Sequence, residues 1–166
     1  MRHAIAIGCA FAILAAAGRA GAAAPRPIKS VGLNLYTGRW YQVGQIVKTN
    51  NHPCPGGTDD FAPNANGRLT VTIACRSGRR ISAGVTILPG SGNTRFRMSF
   101  FGGLIRQEYW LLNYATDQSW ALMATPGGNY LWLLARRPTL DPATRARALA
   151  SIKALGYDPA RLTPSQ

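Results

Sequence analysis

From residue 39 onward the chain is a succession of short alternating segments. Leu69, Val71 and Ile73 fall on one face of such a segment and Thr70 and Thr72 on the other, which is the two-residue period of a half-buried strand. Ile81, Ala83, Val85 and Ile87 share a face in the next. In the one after that, Phe96, Met98 and Phe100 oppose Arg95, Arg97 and Ser99. Strands are predicted over about 39–48, 58–63, 68–75, 81–87, 95–100, 107–114, 119–125 and 130–136. Between them stand breakers: Thr49 to Gly57, Asn64-Ala65-Asn66-Gly67, Ser77-Gly78-Arg79, Pro89 to Asn93 and Gly102-Gly103. The pattern then changes period. Asp141-Pro142 supplies an N-cap and a first-turn proline, Ala143 to Leu155 reads as one helix, and Gly156 closes it.

Close-set strands joined by turns, with no segment long enough for a crossover, predict an all-β fold. It is an eight-stranded antiparallel up-and-down β-barrel with one C-terminal α-helix packed outside. Eight strands leave an interior able to hold one small ligand. Alternate links of such a barrel lie at alternate ends. Gly38, Trp40, the Thr116-Asp117 turn and the exit of the last strand at Arg136 therefore converge on one end. The loop carrying Cys54 and the C-terminal end of the strand carrying Cys75 converge on the other. A glycine at position 38 lets the backbone turn tightly, and the indole two residues later is a broad apolar plate suited to plugging a closed sheet.

The first residues are read separately. Met1-Arg2-His3 is a basic head, Ala4 to Ala17 is an apolar run too short to span a bilayer, and Ala20-Gly21-Ala22 and Ala22-Ala23-Ala24 are small-residue cleavage patterns. Residues 1–24 are thus expected to be a cleaved secretory signal peptide. Residues 25–35 are a lead-in, 36–162 the barrel and helix, and 163–166 a tail. The mature chain is expected to have no transmembrane span and to reside in the periplasm or outside the cell. Cys9 leaves with the leader, so Cys54 and Cys75 form an isolated pair. In an exported protein such a pair reads as a disulfide, worth about 3 kcal/mol for a loop of this length. A zinc site lacks partners, since only His52 remains, and neither metal nor cofactor is expected. The chain carries 19 Lys and Arg against six Asp and Glu. Removing Arg2 and Arg19 leaves 17 against six, a balance of +11, which is attracted to polyanions. In a cell envelope these are anionic lipid surfaces rather than nucleic acid; generic solubility is the plainer reading of the same charge.

The Gly38-x-Trp40 start, the Thr116-Asp117 turn, Arg136 at the exit of the eighth strand and the late helix together resemble the lipocalins. The runs Met98-Ser99-Phe100-Phe101-Gly102 and Tyr130-Leu131-Trp132-Leu133-Leu134 resemble the bacterial branch. The resemblance covers about residues 36–162. It implies that Arg136 lies across Trp40 and closes the barrel, with Arg137 the alternative. Gln118 departs from the tyrosine that often follows Thr-Asp in the family. The resemblance further implies carriage or sequestration of a small hydrophobic or amphiphilic ligand, of the fatty acid or lysophospholipid class. Predicted pocket walls are Val71, Ile73, Ala83, Val85, Phe96 and Met98, with Trp110, Leu112 and Leu122 from the later strands. Tyr109 is the alternative to Trp110, because that strand is apolar on both faces. Lys48, Arg79 and Arg106 are rim candidates for an anionic head. Catalysis is not expected: Asp59-Asp60 reads as a solvated loop end, and the one mature histidine lies in a proline-flanked loop. A protein-binding or inhibitor module acting through the open-end loops is the other class the sequence allows.

Overall fold

The computed structural model describes residues 23–27, 29–48, 54 and 56–165. Most of the predicted leader, including Cys9, and His52 of the first loop lie outside the described residues. The eight strands are β1 (Gly38–Val47), β2 (Gly57–Pro63), β3 (Leu69–Cys75), β4 (Arg80–Ile87), β5 (Arg95–Phe100), β6 (Ile105–Tyr114), β7 (Trp120–Ala124) and β8 (Tyr130–Ala135). Each pairs antiparallel with the next, and β1 pairs with both β8 and β2, so the sheet closes. Closure leaves no long unpaired edge. A short ninth strand, β9 (Thr163–Pro164), pairs with Gly44 and Gln45 of β1. It comes from the segment read from sequence as a tail, and two residues carry no periodicity to announce it.

Helix α1 (Pro142–Ala154) lies outside the barrel. Asp141 caps it, its Oδ1 accepting from the Thr144 amide at 2.9 Å, with Pro142 in the first turn. Its buried face, Ala148 and Ile152, packs on a second hydrophobic cluster that includes Leu112, Trp120, Leu122 and Leu133. All five residues of β7 are therefore buried, one set inward and one beneath the helix. Ala24 joins this outer cluster, its amide donating to the Pro126 carbonyl at 2.9 Å.

Two bulges reset the alternation. In β1 the register shifts between Gln42 and Gly44. Gln42 and Gln45 face the interior, while Val43 packs on the outer cluster. Gly44 lies against Leu162, whose Cγ would stand 3.0 Å from an added Cβ. In β6 the shift falls between Leu111 and Asn113. Leu111 belongs to the inner core and Leu112 to the outer, and Asn113 Nδ2 donates to Ser151 Oγ of α1 at 2.7 Å.

One end of the barrel is sealed. The Arg136 guanidinium carbon lies 3.7 Å from the centroid of the Trp40 ring. Its Nη2 donates to the Leu35 carbonyl at 2.6 Å and its Nη1 to the Arg39 carbonyl at 3.0 Å. Gly38 holds φ at +91°, where a side chain would be strained, and Arg136 Nη1 would be 3.5 Å from its Cβ. Leu35 and Tyr36, from the lead-in, sit under the indole as the innermost floor, and both are 1% exposed. Trp40 Nε1 donates to the Tyr36 carbonyl at 3.2 Å, and the Tyr36 hydroxyl donates to the Asn93 carbonyl at 2.5 Å. Thr116 and Asp117 are exposed in the adjoining turn, where Asp117 Oδ1 accepts from the Ser119 amide and hydroxyl. Ser119 in turn accepts the Arg136 amide at 3.0 Å.

Trp40→Ala is expected to cost about 3–5 kcal/mol, the range for truncating a buried aromatic, and Arg136→Ala less. In chemical denaturation the double variant should lose clearly less than the sum, because the two groups touch. Additive losses would refute the stacking.

Candidate functional site

The other end is open. A cavity of about 430 Å³ descends from the mouth into the barrel. Cys54 and Cys75 are joined by a disulfide at this end, with Cα atoms 5.2 Å apart. Cys54 lines the cavity, and Cys75 pairs with Gly57 at the top of β2. The bridge thus ties the loop after β1 to the rim. Phe101 and Leu104, in the link between β5 and β6, are 67% and 85% exposed at the lip.

An aromatic series runs up one wall. Tyr36 on the floor meets Phe96 edge-on at 5.4 Å between centroids, Phe96 stacks on Tyr109 at 5.9 Å, Tyr109 meets Trp132 at 5.7 Å, and Trp132 stacks on Tyr130 at 5.5 Å. Tyr109, Trp132 and Tyr130 line the cavity together with Ile73, Met98 and Phe100.

Polar groups stand among these aromatics, Gln45 directly across the ladder from Trp132 and Gln107 on the same strand as Tyr109. Gln42, Gln45, Asp59, Gln107 and Thr125 all line the cavity. Asp59 is 7% exposed, and its Oδ1 accepts from Gln42 Nε2 at 2.8 Å. Burial pushes the Asp59 carboxyl up to about 7, against which the Gln42 hydrogen bond acts; the charge of neighbouring Asp60 raises it further. Burial likewise pushes the Tyr109 phenol up to about 12, with Asp59 and Tyr130 adding to the effect. Asp60 faces outward and pairs with Arg39 at 2.7 Å. Gln42 Oε1 and Thr125 Oγ1 are buried with no hydrogen-bond partner among the described residues.

The predicted pocket walls divide into three groups. Ile73 and Met98 line the cavity. Val71, Ala83, Val85 and Phe96 face inward but pack in the core beneath it. Trp110, Leu112 and Leu122 are corrected: they belong to the outer cluster under α1, and the inward residues are Tyr109, Leu111 and Met123. The helix makes both faces of β6 and β7 apolar, so hydrophobicity alone does not distinguish inside from outside. Of the rim candidates, the Lys48 ammonium sits 5.4 Å over the Tyr157 ring on the exterior. Arg106 lies in the outward phase of β6, next to inward Gln107. Arg79 is exposed in the link after β3.

Asp59 also departs from the expectation of a solvated loop end: it is buried inside the barrel. Its signal was nonetheless available: in a strand, residues two apart share a face, and Phe61 is plainly a core residue. The aromatic pair Tyr130 and Trp132 and the glutamines of β1 had no such marker.

A family model described as a lipocalin-like domain matches residues 31–166. This chain belongs to that family. Among curated relatives, it is 24% identical to the outer membrane lipoprotein Blc of Vibrio cholerae over 142 residues, 82% of this chain and 83% of the relative. It is also 24% identical to temperature-induced lipocalin-1 of Arabidopsis thaliana, covering 81% and 78%. Insecticyanin of the tobacco hornworm Manduca sexta superimposes with a TM-score of 0.68 at 15% identity, over 85% of this chain and 83% of that one. That likeness is one of fold: a closed eight-stranded lipocalin barrel with one helix outside it.

The buried carboxyl gives this lipocalin a pH signature. Its folded pKa lies above the unfolded value, so its contribution to stability is complete in acid. That contribution should decline between about pH 4 and pH 7, the unfolded and folded values, and be gone above. In urea titrations Asp59→Asn should flatten this decline. A variant that tracks the wild type across the interval would contradict the assignment.

Proposed function

We propose that this lipocalin binds a small hydrophobic or amphiphilic ligand in the calyx, for carriage or sequestration. The observation carrying the reading is the cavity itself: an enclosed volume of about 430 Å³, open at one end, with aromatic and aliphatic side chains on its walls. Such a site binds by removing apolar surface from water, and a few polar groups set the orientation. Binding rather than catalysis is the function we assign to it. Fatty acids and lysophospholipids are the amphiphiles to test first, with the acyl chain in the calyx and the head at the mouth. The positive exterior suits an anionic head or an anionic envelope surface, of which 19 basic against six acidic residues are the support. Export is supported by the Cys54–Cys75 disulfide, since such bonds persist in oxidising compartments. Leader cleavage after Ala22 rather than Ala24 would keep the buried Ala24 contact, and N-terminal sequencing of the mature protein reads the site directly.

Native mass spectrometry of the purified protein, followed by lipid extraction, should find one amphiphile per chain. Ile73→Trp, which places an indole in the cavity, should weaken uptake of an added fatty acid about tenfold or more. Leu122→Ala, beneath the helix, should lower stability by about 2–5 kcal/mol and leave affinity unchanged. Affinity lost in Leu122→Ala but kept in Ile73→Trp would locate the ligand elsewhere.

A further inference from the structure

The calyx of a carrier for purely apolar cargo has no use for a buried acid. Here Asp59 lies inside it, 7% exposed, and Gln42 beside it is 6% exposed. The Gln42 amide donates to the carboxyl, and among the described residues Gln42 Oε1 is buried without a donor. Thr125 Oγ1, lining the same cavity, also lacks a partner among the described residues. A buried polar atom left unmade is expensive, so Gln42 Oε1 marks a place where a bound molecule completes the set, and Thr125 a second polar point nearer the mouth. Beside Asp59, what Gln42 Oε1 lacks is a hydrogen donor.

The groups facing Asp59 define which donor. From β1 comes Gln42, and from β3 the cross-strand neighbour Ile73. From β6 comes Tyr109, whose phenol is held neutral, and beyond it on β8 lie Tyr130 and Trp132. Adjacent Asp60 is turned outward and neutralised by Arg39. None of the described residues lining the cavity is a Lys, Arg or His. The described lining therefore supplies a carboxyl, amide oxygens, π faces and neutral donors, but no cation. An alkylammonium or arylalkylammonium has three donors and a positive charge. It satisfies a carboxylate and an amide oxygen at once and is attracted to aromatic faces. A carboxylate or phosphate head would meet the charge of ionised Asp59, with only neutral donors such as the Tyr109 and Thr125 hydroxyls to offset it.

We infer that the Gln42–Asp59 niche is a specificity site for the protonated amine of a ligand whose apolar body lies against the Tyr109–Trp132–Tyr130 wall. This rests on the reading of the calyx as the ligand site and narrows its ligand to amine-headed amphiphiles entering head first. The positive exterior does not oppose it, because exposed charge is screened over about 8 Å at physiological salt while a buried pair is screened much less. Asp59 and the ammonium ion form a charge pair only when the carboxyl is ionised. Acid should therefore weaken amine binding by returning the proton to Asp59.

Isothermal titration of the intact mature protein with decylamine, decanol and decanoate at about pH 8, where the amine is protonated, tests this with three heads on one body. Decylamine should bind about tenfold or more tighter than decanol. Lowering the pH to about 5 should erase that preference while decanol is unaffected. Asp59→Asn should reduce decylamine to the level of decanol with decanol affinity retained, and Gln42→Leu should weaken the amine alone. Retained decanol binding also shows that each variant is folded. Equal binding of amine and alcohol by the wild type, or an amine preference that survives both substitutions, overturns the amine niche and leaves the carrier reading standing. Failure of all three ligands to bind the wild type overturns both.

Discussion

A guanidinium lying flat on an indole is the contact on which the calyx depends. Arg136 does three things at once: it covers Trp40, and its two terminal nitrogens hold the Leu35 and Arg39 carbonyls. Those carbonyls belong to the lead-in and to the start of β1, while Arg136 itself follows β8. One side chain therefore ties the first strand, the last strand and the strap beneath them. Burial lowers the guanidinium's pKa, yet it stays charged, because an arginine starts so far above neutrality. With this end sealed, Tyr36, Phe61 and Phe96 can pack into a solid floor, and the remaining volume is pushed toward the mouth.

The division between solid floor and open cavity explains why inward-facing residues do not all have the same role. Val71, Ala83 and Phe96 stabilise the barrel, whereas Ile73 and Met98, further along the same strands, face empty space. A cavity of this kind costs stability, because its lining gives up packing partners. The disulfide at the rim offsets part of that cost by constraining the unfolded chain. The helix contributes from outside, burying the outer faces of β6, β7 and β8 in a second core.

The same trade appears around Asp59. A carboxyl taken out of water and given one amide donor is held in its neutral form at low pH and strained in its charged form. Nothing in barrel closure requires it, since Trp40 opposite Asp59 in the ladder is held by Arg136 and Tyr36. Its position at mid-depth, between the aromatic series and the paired glutamine, is one where a ligand rather than the fold would complete its hydrogen bonding.

By itself the sequence determined the barrel. Strict alternation, turn residues at every link and the capped helix state the same architecture at several levels, and link parity places Trp40 with Arg136 and Cys54 with Cys75. These are local periodicities and topological necessities, so they survive without coordinates. The tertiary structure decided which face of β6 and β7 is inside, because a helix packed on the outer surface makes both faces apolar and erases the contrast on which periodicity depends. It also decided the bulges at Gln42–Gly44 and Leu111–Asn113, which move Gln45 and Tyr114 into phase with the interior. And it decided that Asp59 is buried, because an aspartate is exposed or enclosed according to what the neighbouring strands bring over it, and that is a property of the closed sheet rather than of the residue.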